Sequence, residues 1–148
     1  MDQTVFRFTP ALLALPFAGG AFLLGVILWL WRFRGGSLRH HLPLAMLLGL
    51  PMALFLLIAI GPSMVKDRVV VTPRAVTQYT GPAWSQNSKG FSLDGLEFVH
   101  VSLDARKEEV WTAFYRDGSS AEVSGGDLWD LHSEEIKQLL RERGVEFR

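Results

Sequence analysis

Two stretches decide how this chain folds: Pro10–Trp31, PALLALPFAGGAFLLGVILWLW, and Leu42–Pro62, LPLAMLLGLPMALFLLIAIGP. Neither holds a charged residue. Each is about 20 residues long, enough to cross a hydrocarbon layer of about 30 Å as a helix. A pair of buried core helices is the alternative, but the rest of a 148-residue chain is too short to cover both. The pattern therefore predicts a two-helix transmembrane hairpin over residues 10–63, preceded by a tail at 1–9 and followed by one soluble domain at 64–148. A cleaved signal peptide is not expected. The start lacks a basic cluster, and Trp29, Trp31 and Arg32 stand where small residues would be needed.

Charge follows the same division. Residues 1–63 carry Arg7, Arg32, Arg34 and Arg39 against Asp2, net +3, and the remainder carries 11 Lys/Arg against 14 Asp/Glu, net −3. An acidic soluble half argues against a nucleic-acid partner, which would require a basic face. Cysteine is absent, which removes disulfides, zinc-thiolate sites and thiol nucleophiles.

Trp29 and Trp31, followed by Arg32 and Arg34, form the aromatic and basic end expected at a membrane interface. A short linker through Gly35-Gly36 then leads into the second span. Two crossings put the N-terminal tail and the C-terminal domain on one side, where the tail is expected either to pair with a sheet edge or to lie at the membrane surface. The linker arginines favour a cytoplasmic linker and hence an external domain. Pro16 and Pro51 interrupt the spans, freeing the carbonyls of Leu12 and Leu47, and a kink is expected at each.

Small residues recur at spacings of four: Ala14 and Ala18, Ala21 and Gly25, then Ala45, Gly49 and Ala53. Each set shares one helix face and admits close backbone approach. These faces fit either packing of the two spans on each other or docking to another membrane subunit. The spans hold no ionisable residue, which counts against an ion path, a proton relay or a haem ligated in the membrane.

Beyond Lys66 the pattern turns to short strands. Extended segments are predicted at Arg68–Thr72, Ala75–Thr80, from Phe91, at Leu96–Leu103, Val110–Tyr115 and Ala121–Val123. Gly81–Gly90 reads as a polar loop carrying Trp84, and Asp117-Gly118 as a hairpin turn. Leu96, Phe98, His100 and Ser102 are assigned to one strand face, and Val99, Val101 and Leu103 to the other. A helix is predicted over Asp127–Arg143, with Ser133 re-capping its second part and Gly144 as the C′ residue. Trp111 and Trp129 are assigned to the core.

The segments DRVVVTPRAVTQYTG, FSLDGLEFVHVSL, YRDGSSAEVS and DLWDLHSEEIKQLLRERGV, together with the two spans, resemble the bacterial pleckstrin-homology-like domain family in its two-helix, membrane-anchored form. The resemblance covers about residues 64–147. It implies an α+β membrane protein: a transmembrane hairpin, then a curved or barrel-like antiparallel sheet closed by a C-terminal helix. It also implies a binding or scaffolding role in the bacterial inner membrane, with the domain in the cytoplasm, against the linker charge. Specific phosphoinositide recognition is not expected, because only Arg74 and Lys89 lie in the first loops of an acidic domain.

No catalytic centre emerges. His40-His41 has no acidic neighbour in its linker, while His100 and His132 stand apart in sequence. Glu108-Glu109 and Glu134-Glu135 fit exposed charge and helix-dipole complementarity. No nucleophile elbow, P-loop or dinucleotide fingerprint occurs. The chain is expected to be non-enzymatic, without metal or cofactor, and to act as an accessory, assembly or stabilising subunit of a larger membrane complex. Lipid or ligand sensing is the alternative. The expected partners are membrane lipids and other integral membrane proteins. The contact residues proposed for them are Trp84, Trp29, Trp31, Phe6, Phe8, Ala21, Gly25, Ala45, Gly49 and Ala53.

Overall fold

The computed structural model describes residues 3–32, 42–105, 107–124 and 126–148. The linker 33–41, with Arg34, Gly35-Gly36, Arg39 and His40-His41, lies outside the described residues. The chain divides into two compact units.

The helical unit takes in residues 8–66 and 81–85. Helix α1 is Pro10–Arg32 and α2 is Leu42–Lys66, both long and apolar enough to cross a membrane. Pro16 sits within an unbroken α1. In α2, Pro51 and Pro62 each follow a π-helical stretch, Ala45–Gly49 and Phe55–Ile60. Such wider turns accommodate the backbone donor that proline lacks. The second helix therefore runs to Lys66, past the expected boundary at Pro62, and residues 64–66 belong to it rather than to the domain that follows.

α1 packs along α2 through small residues. A Cβ on Gly20 would stand 2.5 Å from Leu57 Cγ and 3.1 Å from the Ala53 carbonyl oxygen, and one on Gly61 would stand 2.6 Å from the Phe17 ring. Ala53 is fully buried. Helices meet closely where side chains leave room for backbone contact.

The second unit comprises residues 1–7, 67–80 and 86–148. It contains two four-stranded sheets. The first has the order β1-β2-β3-β4, from Thr4–Phe6, Arg68–Val71, Ala75–Thr80 and Asn87–Ser92. β1 pairs antiparallel with β2, Thr4 opposite Val71 and Phe6 opposite Val69. The segment before α1 is thus a strand of the sheet that resumes after α2, and the expected tail at 1–9 is not a separate region. The whole helical hairpin is an insertion between two neighbouring strands.

The second sheet has the order β7-β6-β5-β8, from Ser120–Ser124, Glu109–Tyr115, Leu96–Leu103 and Glu146–Phe147. All its pairings are antiparallel except β5 with β8. β4 runs close to β7, where the two sheets approach. A bulge between Leu96 and Phe98 offsets the expected face alternation at the start of β5. At the Asp117-Gly118 turn, Gly118 has φ +82°, and Asp117 Oδ1 accepts from Ser119 N at 2.9 Å and Ser119 Oγ at 2.6 Å. These bonds hold the Asp117 carboxyl below its ordinary range.

Helices α3, Asp127–Leu131, and α4, Ser133–Glu142, follow. The second part of the predicted helix does start afresh, but one residue earlier than expected: His132 is the N-cap of α4 and makes no side-chain capping bond. Ser133 is therefore inside the helix rather than its cap. At the far end Gly144 has φ +84°. Val145 N donates to Leu140 O at 3.0 Å and Gly144 N to Arg141 O at 2.9 Å, the paired bonds of a Schellman motif. That turn feeds β8, which the sequence pattern did not predict.

The core draws on both sheets and both short helices. Val69, Val71, Val76, Val99, Trp111, Ala113, Val123, Trp129, Ile136 and Leu140 are fully buried. Trp111 meets Trp129 edge to face at 4.8 Å and Phe147 at 5.4 Å.

Candidate functional site

Two of the four histidines, His100 and His132, are engaged structurally. His100 Nδ1 lies 2.9 Å from the Arg148 carbonyl oxygen, so this nitrogen carries the proton and donates. His132 Nε2 lies 3.0 Å from the Arg7 carbonyl oxygen, and its Nδ1 lies 3.2 Å from Glu135 Oε2. The ring also packs 5.2 Å from Phe6. His132 thereby ties α4 to the chain just past β1. Among the described residues, no three or more His, Asp or Glu side chains are placed to hold a metal ion.

Lys137 is the buried charged residue among the described residues of the second unit. Its Nζ donates to Glu109 Oε1 and to Glu134 Oε1, both at 2.8 Å, and Glu109 Oε2 accepts from Trp111 Nε1 at 3.0 Å. Burial works against the Lys137 charge, but the hydrogen bonds and charges of the two glutamates outweigh it, so its pKa is raised. The hydrogen bond and charge of Lys137 lower the Glu134 pKa. Burial, then the nearby Glu108, Glu109, Asp127 and Asp104, raise that of Asp130.

The signs fix a pH window. The Lys137 contribution is complete below its ordinary value of 10.5 and is lost as pH rises through the raised folded value. The Glu134 contribution is present above its ordinary value of 4.5 and is lost as pH falls through the lowered folded value. Glu134→Gln is accordingly expected to lower the urea midpoint near neutral pH. The difference should vanish in acid, as followed by near-UV circular dichroism.

Two shallow pockets open on the second unit. One is lined by Pro73, Leu93, Leu96, Arg143 and neighbours, with a volume of about 240 Å³. The other, of about 280 Å³, lies between Val101, Phe147, Glu134, Lys137 and Arg141. In the second, Lys137 already bridges two carboxylates and Arg141 stands 5.4 Å over the Phe147 ring.

The predicted contact residues separate by environment. Ala53 is buried and Gly49 faces Ile27, with its would-be Cβ 3.2 Å from Ile27 Cδ1, so both serve the packing of α1 on α2. Ala45 is half-buried on α2. Ala21 and Gly25 are exposed, and a Cβ on Gly25 would meet nothing within 4 Å. Ala14 and Ala18 are exposed as well. The small-residue sets thus have two fates: one seals the hairpin, and one lies on the outside of α1. The spacing argument missed Gly20 and Gly61, where an added Cβ would run into Leu57 and Phe17. Gly20 lies four residues from the buried Pro16, a spacing that could have marked it.

Phe6 is half-buried beside His132, and Phe8 is half-buried in the helical unit. Trp29 and Trp31, at the end of α1, are each 51% exposed. Trp84 is 71% exposed, on a segment that belongs to the helical unit. Gly81, at φ +114°, turns the chain off the end of β3. Ser85 N then closes a tight turn onto Pro82 O at 2.8 Å. This turn is fastened to the last residues of α2: Ala83 N donates to Ser63 Oγ at 3.2 Å, and Lys66 Nζ donates to Ala83 O at 2.6 Å. The polar loop predicted through Gly90 is shorter, because β4 begins at Asn87. Comparison with protein-family models, curated proteins and solved structures finds no match to the chain.

Proposed function

We propose that the chain is a non-enzymatic, membrane-anchored interaction module that serves as an accessory, assembly or stabilising subunit of a larger membrane complex. The observation carrying this reading is the outward face of α1. Ala14, Ala18, Ala21 and Gly25 lie exposed on it, while Gly20, Gly49, Ala53 and Gly61 are used between the helices. In a bilayer, small-residue faces are where helices approach one another closely.

The reading takes α1 and α2 as membrane spans. In the most apolar stretch of each helix only 11% of the residues are buried, so most of these apolar side chains keep exposed surface that needs an apolar surround. Pairing of β1 with β2 brings the two outer ends of the hairpin together, as two crossings from one side require. The strand succession closed by α4, with Ile136 and Leu140 buried, supports a pleckstrin-homology-like second unit. By that resemblance the unit faces the cytoplasm of a bacterial inner membrane.

Extraction in mild detergent, native electrophoresis and identification of co-migrating proteins test the proposal. The expected result is a band well above the mass of this chain, lost on Gly25→Leu. Migration only as a small monomer or homo-oligomer contradicts it.

A further inference from the structure

We propose that the Gly81–Ser85 turn is an interfacial membrane anchor, with the Trp84 indole seated among lipid headgroups at the end of α2. The inference rests on the reading of α1 and α2 as spans, but not on the existence of a protein partner.

The depth of the turn follows from helix geometry. Starting at Leu42, about 20 residues at 1.5 Å each cover about 30 Å. The far edge of the hydrocarbon layer therefore falls near Gly61. Ser63 and Lys66 lie just beyond, at headgroup level. These are the two side chains bonded to the backbone of Ala83. These two bonds hold the turn beside the end of α2, near the boundary, where the Trp84 side chain can reach the headgroups.

The chemistry of the turn suits that depth. Pro82 and Trp84 are both exposed, and Trp84 leaves 71% of its surface uncovered. Trp111 and Trp129, by contrast, are fully buried. An indole has a large apolar body and one N–H donor, and it is most stable where one side is apolar and the other wet. The opposite end of the hairpin is marked in the same way by Trp29 and Trp31 at the end of α1. The helical unit therefore carries exposed indoles near both ends. Those at the end of α1 come from the helix itself, and the other is supplied by the segment joining β3 to β4.

The absence of cysteine permits a direct test with one introduced thiol at a time. The full chain is reconstituted in vesicles of phosphatidylcholine and phosphatidylglycerol in equal amounts, carrying a nitroxide at Ser85→Cys. Collision with oxygen, which prefers the bilayer, is compared with collision with a water-soluble nickel chelate. A nitroxide at Phe22→Cys gives the hydrocarbon reference, and a free nitroxide in buffer the aqueous one. The expected result is an intermediate depth at Ser85. Adding Trp84→Ala should raise the nickel collision rate severalfold towards the aqueous value. An aqueous value at Ser85 with intact Trp84 overturns the anchor. So does exclusion of both reagents, which would mean that protein covers the turn. A Phe22 nitroxide outside hydrocarbon overturns the spanning reading, and the anchor with it.

Discussion

Trp111→Ala lowers the unfolding free energy of the full chain by about 3–5 kcal/mol, the usual cost of truncating a buried tryptophan. Its side chain is wholly inaccessible and lies edge to face against both Trp129 and Phe147. Removal leaves a cavity where the second sheet meets the short helices. It also takes the Nε1 donor from Glu109, a carboxylate shared with the buried Lys137. Urea denaturation in detergent, followed by near-UV circular dichroism, measures the loss. Trp84→Ala serves as the comparison and should shift the free energy by no more than about 0.5 kcal/mol, as exposed positions do. Equal losses in the two variants would show that the core is not organised around Trp111.

Gly20→Leu is expected to push the helices apart at Leu57 and Ala53, at a cost of about 1–3 kcal/mol. The added Cβ would fall 2.5 Å from Leu57 Cγ and 3.1 Å from a backbone oxygen at Ala53. Leu57 can rotate away, but the carbonyl of a helix cannot. Gly25→Leu is the matched control, since nothing lies within 4 Å of its would-be Cβ. Disulfide yield between Ile27→Cys and Gly49→Cys reads the packing. It should fall severalfold on Gly20→Leu and hold on Gly25→Leu. Equal yields would contradict the proposed contact. Loss of a co-purifying partner on Gly25→Leu, with the disulfide retained, would place that partner on the outer face of α1.

Features set by local chemistry were legible in the sequence. The first apolar run gave α1 to within a residue. Asp117-Gly118 and Gly144 need left-handed backbone that glycine supplies, and both are found at the predicted turns. Features set by contacts distant in sequence were not. Thr4–Phe6 is short and has no strand signature of its own; the sequence leaves its tail between a sheet edge and the membrane surface, and β2, more than 60 residues later, is the edge that takes it. β4, NSKGFS, is mostly polar and exposed; its pairing with β3, in which Phe91 faces Val76, makes it a strand. Glu146–Phe147 joins the second sheet as β8 only after Gly144 has turned the chain back.

The candidate surface divides in the same way. The aromatic residues were apparent, but their surroundings were not. The sequence places Trp84 in a polar loop and offers it as a lipid or partner contact, without saying what lies beside it. The hydrogen bonds from Ala83 N to Ser63 Oγ and from Lys66 Nζ to Ala83 O tie its turn to the helical unit. Helical spacing alone could not tell which small residues face the other helix. Gly20 and Gly61 do so because Leu57 and Phe17 fill the space opposite them.

The central claim is that the helical hairpin is inserted between two adjacent strands of one sheet. Because the chain has no cysteine, the pair Val5→Cys and Val70→Cys tests the claim without background. A protease site is placed between Gly35 and Gly36, and the vesicle-reconstituted protein is oxidised and cleaved. The expected result is two fragments held together until a reductant is added. Pairing Val5→Cys with Glu122→Cys, on β7 of the other sheet, should leave the fragments free. Fragments that separate without reductant in the Val5–Val70 pair would contradict the insertion.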